Sequence, residues 1–102
     1  MFSELVEKYG DEFPWFETED TIFIKELNRE LKRSHPLYKK AIKAIAKNGA
    51  KDDVLFLLNN DDWAIVHLTY SKRKEDYLVY KIFPDLSSAL EHIEMDFLAD
   101  LA

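Results

Sequence analysis

The chain has no cysteine, two glycines, three prolines and no long apolar run, and each of these absences removes a class of function. Without cysteine there is no disulfide framework, no thiolate metal site and no thiol nucleophile. Gly10 and Gly49 stand alone, so no glycine-rich loop is available to cradle a phosphate, and nucleotide chemistry lacks its usual material. A membrane span needs about 18 apolar residues in succession, and no stretch approaches that. The first twenty residues carry seven carboxylates and one lysine, which is unlike a secretory signal. The expectation is a cytoplasmic protein with no membrane association.

Catalytic and metal signatures are missing as well. No serine sits in a Gly-x-Ser-x-Gly elbow, no two histidines are spaced i,i+4, and neither a His-Glu-x-x-His pattern nor an EF-hand loop occurs. These absences predict a protein that is not an enzyme and that uses no metal and no cofactor.

What remains is 102 residues, 47% of them apolar and 14% aromatic, enough for one core. A chain of this size buries roughly two thirds of its unfolded surface, so a single domain over residues 1–102 is expected. The net charge of −6 is distributed in blocks: residues 1–20 and 52–70 are acidic, 21–51 strongly basic, 71–81 weakly basic and 82–102 acidic again.

Helical spacing of Leu5, Val6 and Tyr9 after Ser3, with Gly10 as a stop, predicts a short first helix. Phe13-Pro14-Trp15-Phe16 reads as a stiff loop, either plugging the core or offering an aromatic anchor to a partner. From Thr21 to Arg33, Phe23, Ile24, Leu27 and Leu31 share one face; Glu26 with Arg29 and Glu30 with Arg33 form i,i+3 pairs on the other, and Thr18 or Asp20 can cap the helix. Residues 37–47 fit a helix or a strand ending in an Asn48-Gly49 hairpin turn. Strands are expected at Val54–Leu58, Trp63–Tyr70 and Tyr77–Phe83, followed by a helix capped by Asp85 with Leu86, Ala89, Leu90, Ile93 and Phe97 on one face.

Asp52-Asp53-Val54-Leu55-Phe56, followed by Trp63 to Ser71 (WAIVHLTYS), resembles small bacterial proteins with a DDVLF and VHLTW-like strand pair, Tyr70 standing where Trp is expected. The resemblance covers mainly residues 35–83. It implies a strand over residues 40–47 and brings no established activity with it. The resulting expectation is an α+β domain with two N-terminal helices, a three- or four-stranded antiparallel meander and a C-terminal helix packed on the sheet.

Two surfaces stand out as candidate sites. Glu17, Glu19, Asp20, Asp52, Asp53, Asp61 and Asp62 supply acidic patches suited to a basic protein partner. With no catalytic motif in view, the first reading is a non-enzymatic inhibitor, most concretely a bacterial toxin-immunity protein that neutralises a basic, nuclease-like toxin. The second uses the strand face bearing Trp63, Ile65, His67 and Thr69 to bind a small molecule or perform catalysis, with His67 as base or recogniser. His35 is expected to serve helix-end carbonyls and His92 to face solvent. A basic stretch with Lys39, Lys40, Lys43 and Lys47 raises nucleic-acid binding, but the acidic balance and the lack of arginine-aromatic interleaving argue against it.

Overall fold

The run Val54–Leu58 has no polar interruption because both of its faces are covered. A computed structural model of the protein describes residues 1–71 and 78–101. Along the chain these form α1 (Ser3–Tyr9), a 3-10 turn at Gly10–Glu12, β1 (Trp15–Glu17), α2 (Ile22–Glu30), β2 (Ala41–Asn48), β3 (Asp53–Leu58), β4 (Trp63–His67), β5 (Tyr80–Phe83) and α3 (Leu86–Leu101). The five strands form one antiparallel sheet in chain order. On one face α2 packs Leu27 over Ala44, Val54, Phe56, Ala64 and Val66. On the other, α1 and α3 bring Phe2, Ile93 and Phe97 against Leu55, Ile65 and Trp15. The architecture is therefore α+β, with the sheet between helices.

The expected strand over residues 40–47 is present, and the expected C-terminal helix lies on the sheet. Several expectations need correction. The sheet has five strands, because Trp15–Glu17, read as a loop, pairs with Ala46–Asn48 as an edge strand. Its side chains divide: Phe13 and Trp15 are buried and Phe16 is half exposed, so the aromatics do not act as one anchor. The Asn48-Gly49 pair is not a two-residue turn. Asn48 is buried, its Oδ1 accepts the Ala50 and Lys51 N–H groups at 2.8 and 3.1 Å, and the hairpin loop runs over residues 49–52. Gly49 is needed for close approach: its N–H reaches the Pro14 carbonyl at 2.8 Å, and a Cβ there would meet the Phe16 ring at 3.3 Å. The strand expected at Tyr77–Phe83 is observed from Tyr80, and Tyr77 lies outside the described residues.

The helical alternative for residues 37–47 had a physical origin. Register shifts between Ala41 and Lys43 and between Ala44 and Ala46 interrupt the two-residue period of β2. Ala44 lies opposite Phe56 on the α2 side, whereas Ala46 lies opposite Leu55 on the α3 side. Neighbouring strands keep the regular alternation.

Glu30 overturns its expected role as an outer partner of Arg33. It is fully buried at the end of α2, and its Oε1 accepts the Thr69 N–H at 2.8 Å and the Thr69 hydroxyl at 2.6 Å. Its Oε2 accepts the Tyr70 N–H at 3.0 Å, holding Tyr70 in the left-handed region at φ 55°. Burial, then the neighbouring Glu26 carboxyl, push Glu30 above the ordinary carboxylate range, while the Arg29 guanidinium holds Glu26 below it. The clamp turns the chain out of β4 and fixes α2 to the sheet. Hydrogen bonds to a carboxylate contribute about 1.5–3 kcal/mol each, and a stranded buried donor adds its own desolvation cost. Thr69→Val is expected to destabilise the fold by about 1–2 kcal/mol, and Glu30→Ala, which strands two backbone N–H groups, by about 3 kcal/mol or more in urea unfolding.

His35 serves no helix-end carbonyl. Its Nδ1 accepts the Leu37 N–H at 3.0 Å and its ring packs edge-on against Tyr80, centroids 5.2 Å apart. The Leu37 bond requires the neutral ring, and burial pushes its pKa below the ordinary 6.5. Below pH 6.5 the unfolded chain then takes up a proton that the folded chain resists, so this contribution is complete above 6.5 and is lost as pH falls through the folded value. The difference in Tm between wild type and His35→Asn should shrink as pH is lowered from neutrality through this range; a pH-independent difference would contradict the neutral-ring assignment.

Candidate functional site

The β1–α2 connection leaves the sheet edge at Glu17 and is held by its own polar groups. The Thr18 N–H bonds to the Ile45 carbonyl at 3.0 Å, the Thr18 Oγ1 accepts the Asp20 N–H at 3.2 Å, and the Asp20 Oδ1 accepts the Ile22 N–H at 3.0 Å, where α2 begins. Asp20 thus supports the start of the helix from one residue before the N-cap position, which is Thr21 and makes no side-chain capping bond.

Between this connection and β2 lies a cleft of about 520 Å³. Its apolar lining comes from Met1, Ile24, Ile42, Ala44 and Ile45, and Glu17, Glu19 and Asp20 line it against one basic side chain, Lys43. Glu17 and Glu19 are exposed and, among the described residues, neither is in an ion pair. Exposed carboxylates around an apolar floor form a surface that favours a cation carried on an apolar stem.

The structure brings only these three of the seven acidic candidates together. Asp52 faces Lys47 at 3.6 Å, and Asp53 binds the His67 ring. Asp61 and Asp62 belong to the β3–β4 turn, where Asp61 adopts φ 69°, the Asn60 Oδ1 accepts the Asp62 N–H at 3.2 Å, and the Asn60 side-chain amide donates to the Asp62 carboxylate at 3.0 Å. Asp52-Asp53 and Asp61-Asp62 therefore flank opposite ends of β3, roughly 17 Å apart along the strand. Asp61 and Asp62 are turn-forming residues here.

The proposed Trp63, His67 and Thr69 face is not continuous. β4 ends at His67, and Thr69 turns to Glu30 on the opposite side of the sheet. Trp63 packs into the α3-side core and does not line the space beside His67. His67 instead borders a second, smaller cleft of about 220 Å³ with Asp53, Ile65, Tyr80, Lys81, His92 and Asp96. Its Nδ1 lies 2.8 Å from the Asp53 Oδ1, so the carboxylate fixes the Nδ1–H tautomer. His92, expected in solvent, is partly buried and packs on the Phe83 ring with centroids 5.3 Å apart. Among the described residues, no group of three or more His, Asp or Glu side chains is arranged to hold a metal ion.

The four lysines do not form one phosphate-binding face. Lys43 and Lys47 lie opposite Leu57 and Val54, and so point to different sides of the sheet. Lys47 also donates to the Asn48 and Lys51 carbonyls at 3.2 and 3.3 Å and lies over the Phe23 ring. No helix among the described residues is long and apolar enough to cross a membrane. Set against known proteins, the chain matches no family model, no curated protein and no solved structure.

Sequence reasoning marked the acids of the rim but missed its floor, because Ile42, Ala44 and Ile45 sit in the stretch whose period the bulges conceal. The two roles around the rim are separable by stability. Asp20→Ala should cost about 1 kcal/mol through loss of its bond to the start of α2. Glu17→Ala and Glu19→Ala should stay within about 0.5 kcal/mol of wild type by urea denaturation.

Proposed function

We propose that the protein is a non-enzymatic binding protein that captures a basic partner protein at the Glu17–Asp20 cleft. The observation that carries this reading is the coincidence of three exposed carboxylates with an apolar floor in one cleft of about 520 Å³. The concrete form we favour is an immunity protein, a cytoplasmic inhibitor of a basic, nuclease-like toxin. An acidic rim attracts such a partner before contact, and the floor then gives the complex its apolar anchor.

A second reading rests on the Asp53–His67 pair. A histidine whose Nδ1 is held by a carboxylate, with its ring opening on a cleft shared with Lys81 and His92, is an arrangement used for general-base work or for recognising a polar small molecule. It ranks second because the cleft is small and a nucleophile or activated water would have to come from elsewhere.

The test is affinity capture with the tagged protein from lysate of its own source, at low and moderate salt, using variants in parallel. Wild type and Asp61→Lys/Asp62→Lys are expected to retain the same basic protein, released by salt, and Glu17→Lys/Glu19→Lys is expected to lose it. Retention by Glu17→Lys/Glu19→Lys equal to that of wild type would remove the cleft as the binding surface. A partnerless wild-type monomer would favour the His67 reading.

A further inference from the structure

The cleft lies against an unfinished sheet edge. β2 runs over eight residues, Ala41–Asn48, yet β1 covers only Ala46–Asn48, and the Thr18 N–H closes on the Ile45 carbonyl. Beyond that point the chain turns away into α2, and the outer edge of β2 over Ala41–Ala44 has no strand beside it among the described residues. Ile42, Lys43, Ala44 and Ile45, which form this edge, are also the cleft lining. Met1, next to Phe2 of the α3-side core, and Ile24, packed on the α2-side core, also line the cleft. A strand edge set between apolar side walls is the form of a slot for an extended peptide, in which backbone groups supply the pairing and alternate side chains reach the two walls.

We propose that the partner enters this slot as an extended basic segment and adds a strand to the outer edge of β2, antiparallel or parallel to Ala41–Ala44, with its cationic side chains against Glu17 and Glu19. This deepens the reading of the cleft as a protein-binding site and rests on it. Charge selects the occupant. A second copy of this chain entering the same slot would bring its own acidic rim to this one, whereas a segment bearing lysine or arginine at alternate positions meets three carboxylates against one basic side chain, Lys43. The outer edge of β5 has no such acidic rim among the described residues: Lys81 lies on that strand and Pro84 follows it.

The probes are two synthetic peptides of alternating lysine and valine with identical side chains, one plain and one methylated at every backbone nitrogen. Each is titrated at low salt into the nitrogen-15-labelled 102-residue chain. The plain peptide should shift the amides of residues 18–21 and 41–45 and slow hydrogen exchange along residues 41–44. The methylated peptide, which can donate no backbone hydrogen bond, should bind at least about tenfold more weakly. Glu17→Lys/Glu19→Lys should weaken the plain peptide by a similar factor with its own spectrum otherwise intact. Equal binding of both peptides at the cleft would overturn strand addition while leaving the acidic cleft standing. Shifts confined to other surfaces, self-association through residues 41–44, or no binding by either peptide would overturn both.

Discussion

The structure depends on one strand being buried from both sides. Val54, Phe56 and Leu58 of β3 point toward α2, Leu55 points toward α1 and α3, and all four are essentially inaccessible to water. A sheet face left bare would expose its apolar side chains to water at roughly 25 cal/mol per Å², so a two-sided β3 obliges the chain to place helices on both faces. With so few residues, each cover is minimal. α2 has nine residues on one side, and seven-residue α1 shares the other with α3.

Minimal covers need fasteners, and the polar contacts serve as such. Glu30 binds the end of α2 to the exit of β4 through three hydrogen bonds. Across the sheet, Glu94 of α3 accepts from the Tyr9 hydroxyl at 2.6 Å and from Lys8 at 3.0 Å, and these two partners hold its carboxyl below the ordinary range. Lys51 reaches Asp96 and Asp100 of α3 from the β2–β3 loop. Many charges that read as surface solvation along the sequence are thereby committed to holding elements together. This explains why the acidic blocks do not merge into one surface: Asp52, Asp53, Glu94, Asp96 and Asp100 are all paired. Glu17, at the end of β1, and Glu19 and Asp20, on the connection that crosses the sheet edge, keep exposed charge.

Elements with an undisturbed period were legible in the sequence. α3 follows from Asp85 and its apolar stripe, and the Asp85 Oδ1 does accept the Ser88 N–H at 2.7 Å. β3 and β4 follow from their β-branched and aromatic content. Three features were hidden, each for a physical reason. β1 is three residues long and gains strand character only from pairing with Ala46–Asn48, a non-local contact. The bulges of β2 break alternation. Glu30 looks like any solvent-facing helix carboxylate until Thr69 and Tyr70, about forty residues on, are folded against it. The candidate site was half legible, since charge is visible in a sequence whereas an open edge depends on which strand stops short.

The unfinished edge and the acidic rim have one cause. β1 must end early so that the chain can climb onto the α2 face and cover β3, and the residues that make this climb are Glu17 to Thr21. Ending β1 early leaves Ala41–Ala44 uncovered, and an uncovered strand edge invites pairing with any extended chain. Carboxylates on the crossing segment then act as a filter. They repel acidic segments, including those of this protein, over a distance of about 8 Å at physiological ionic strength, and they attract basic ones over the same range. An exposed ion pair contributes only up to about 1 kcal/mol, so charge selects what approaches, and the apolar floor with the strand edge has to supply the affinity. The cost of covering β3 in so short a chain is an exposed edge, and the charge pattern beside that edge narrows what can occupy it.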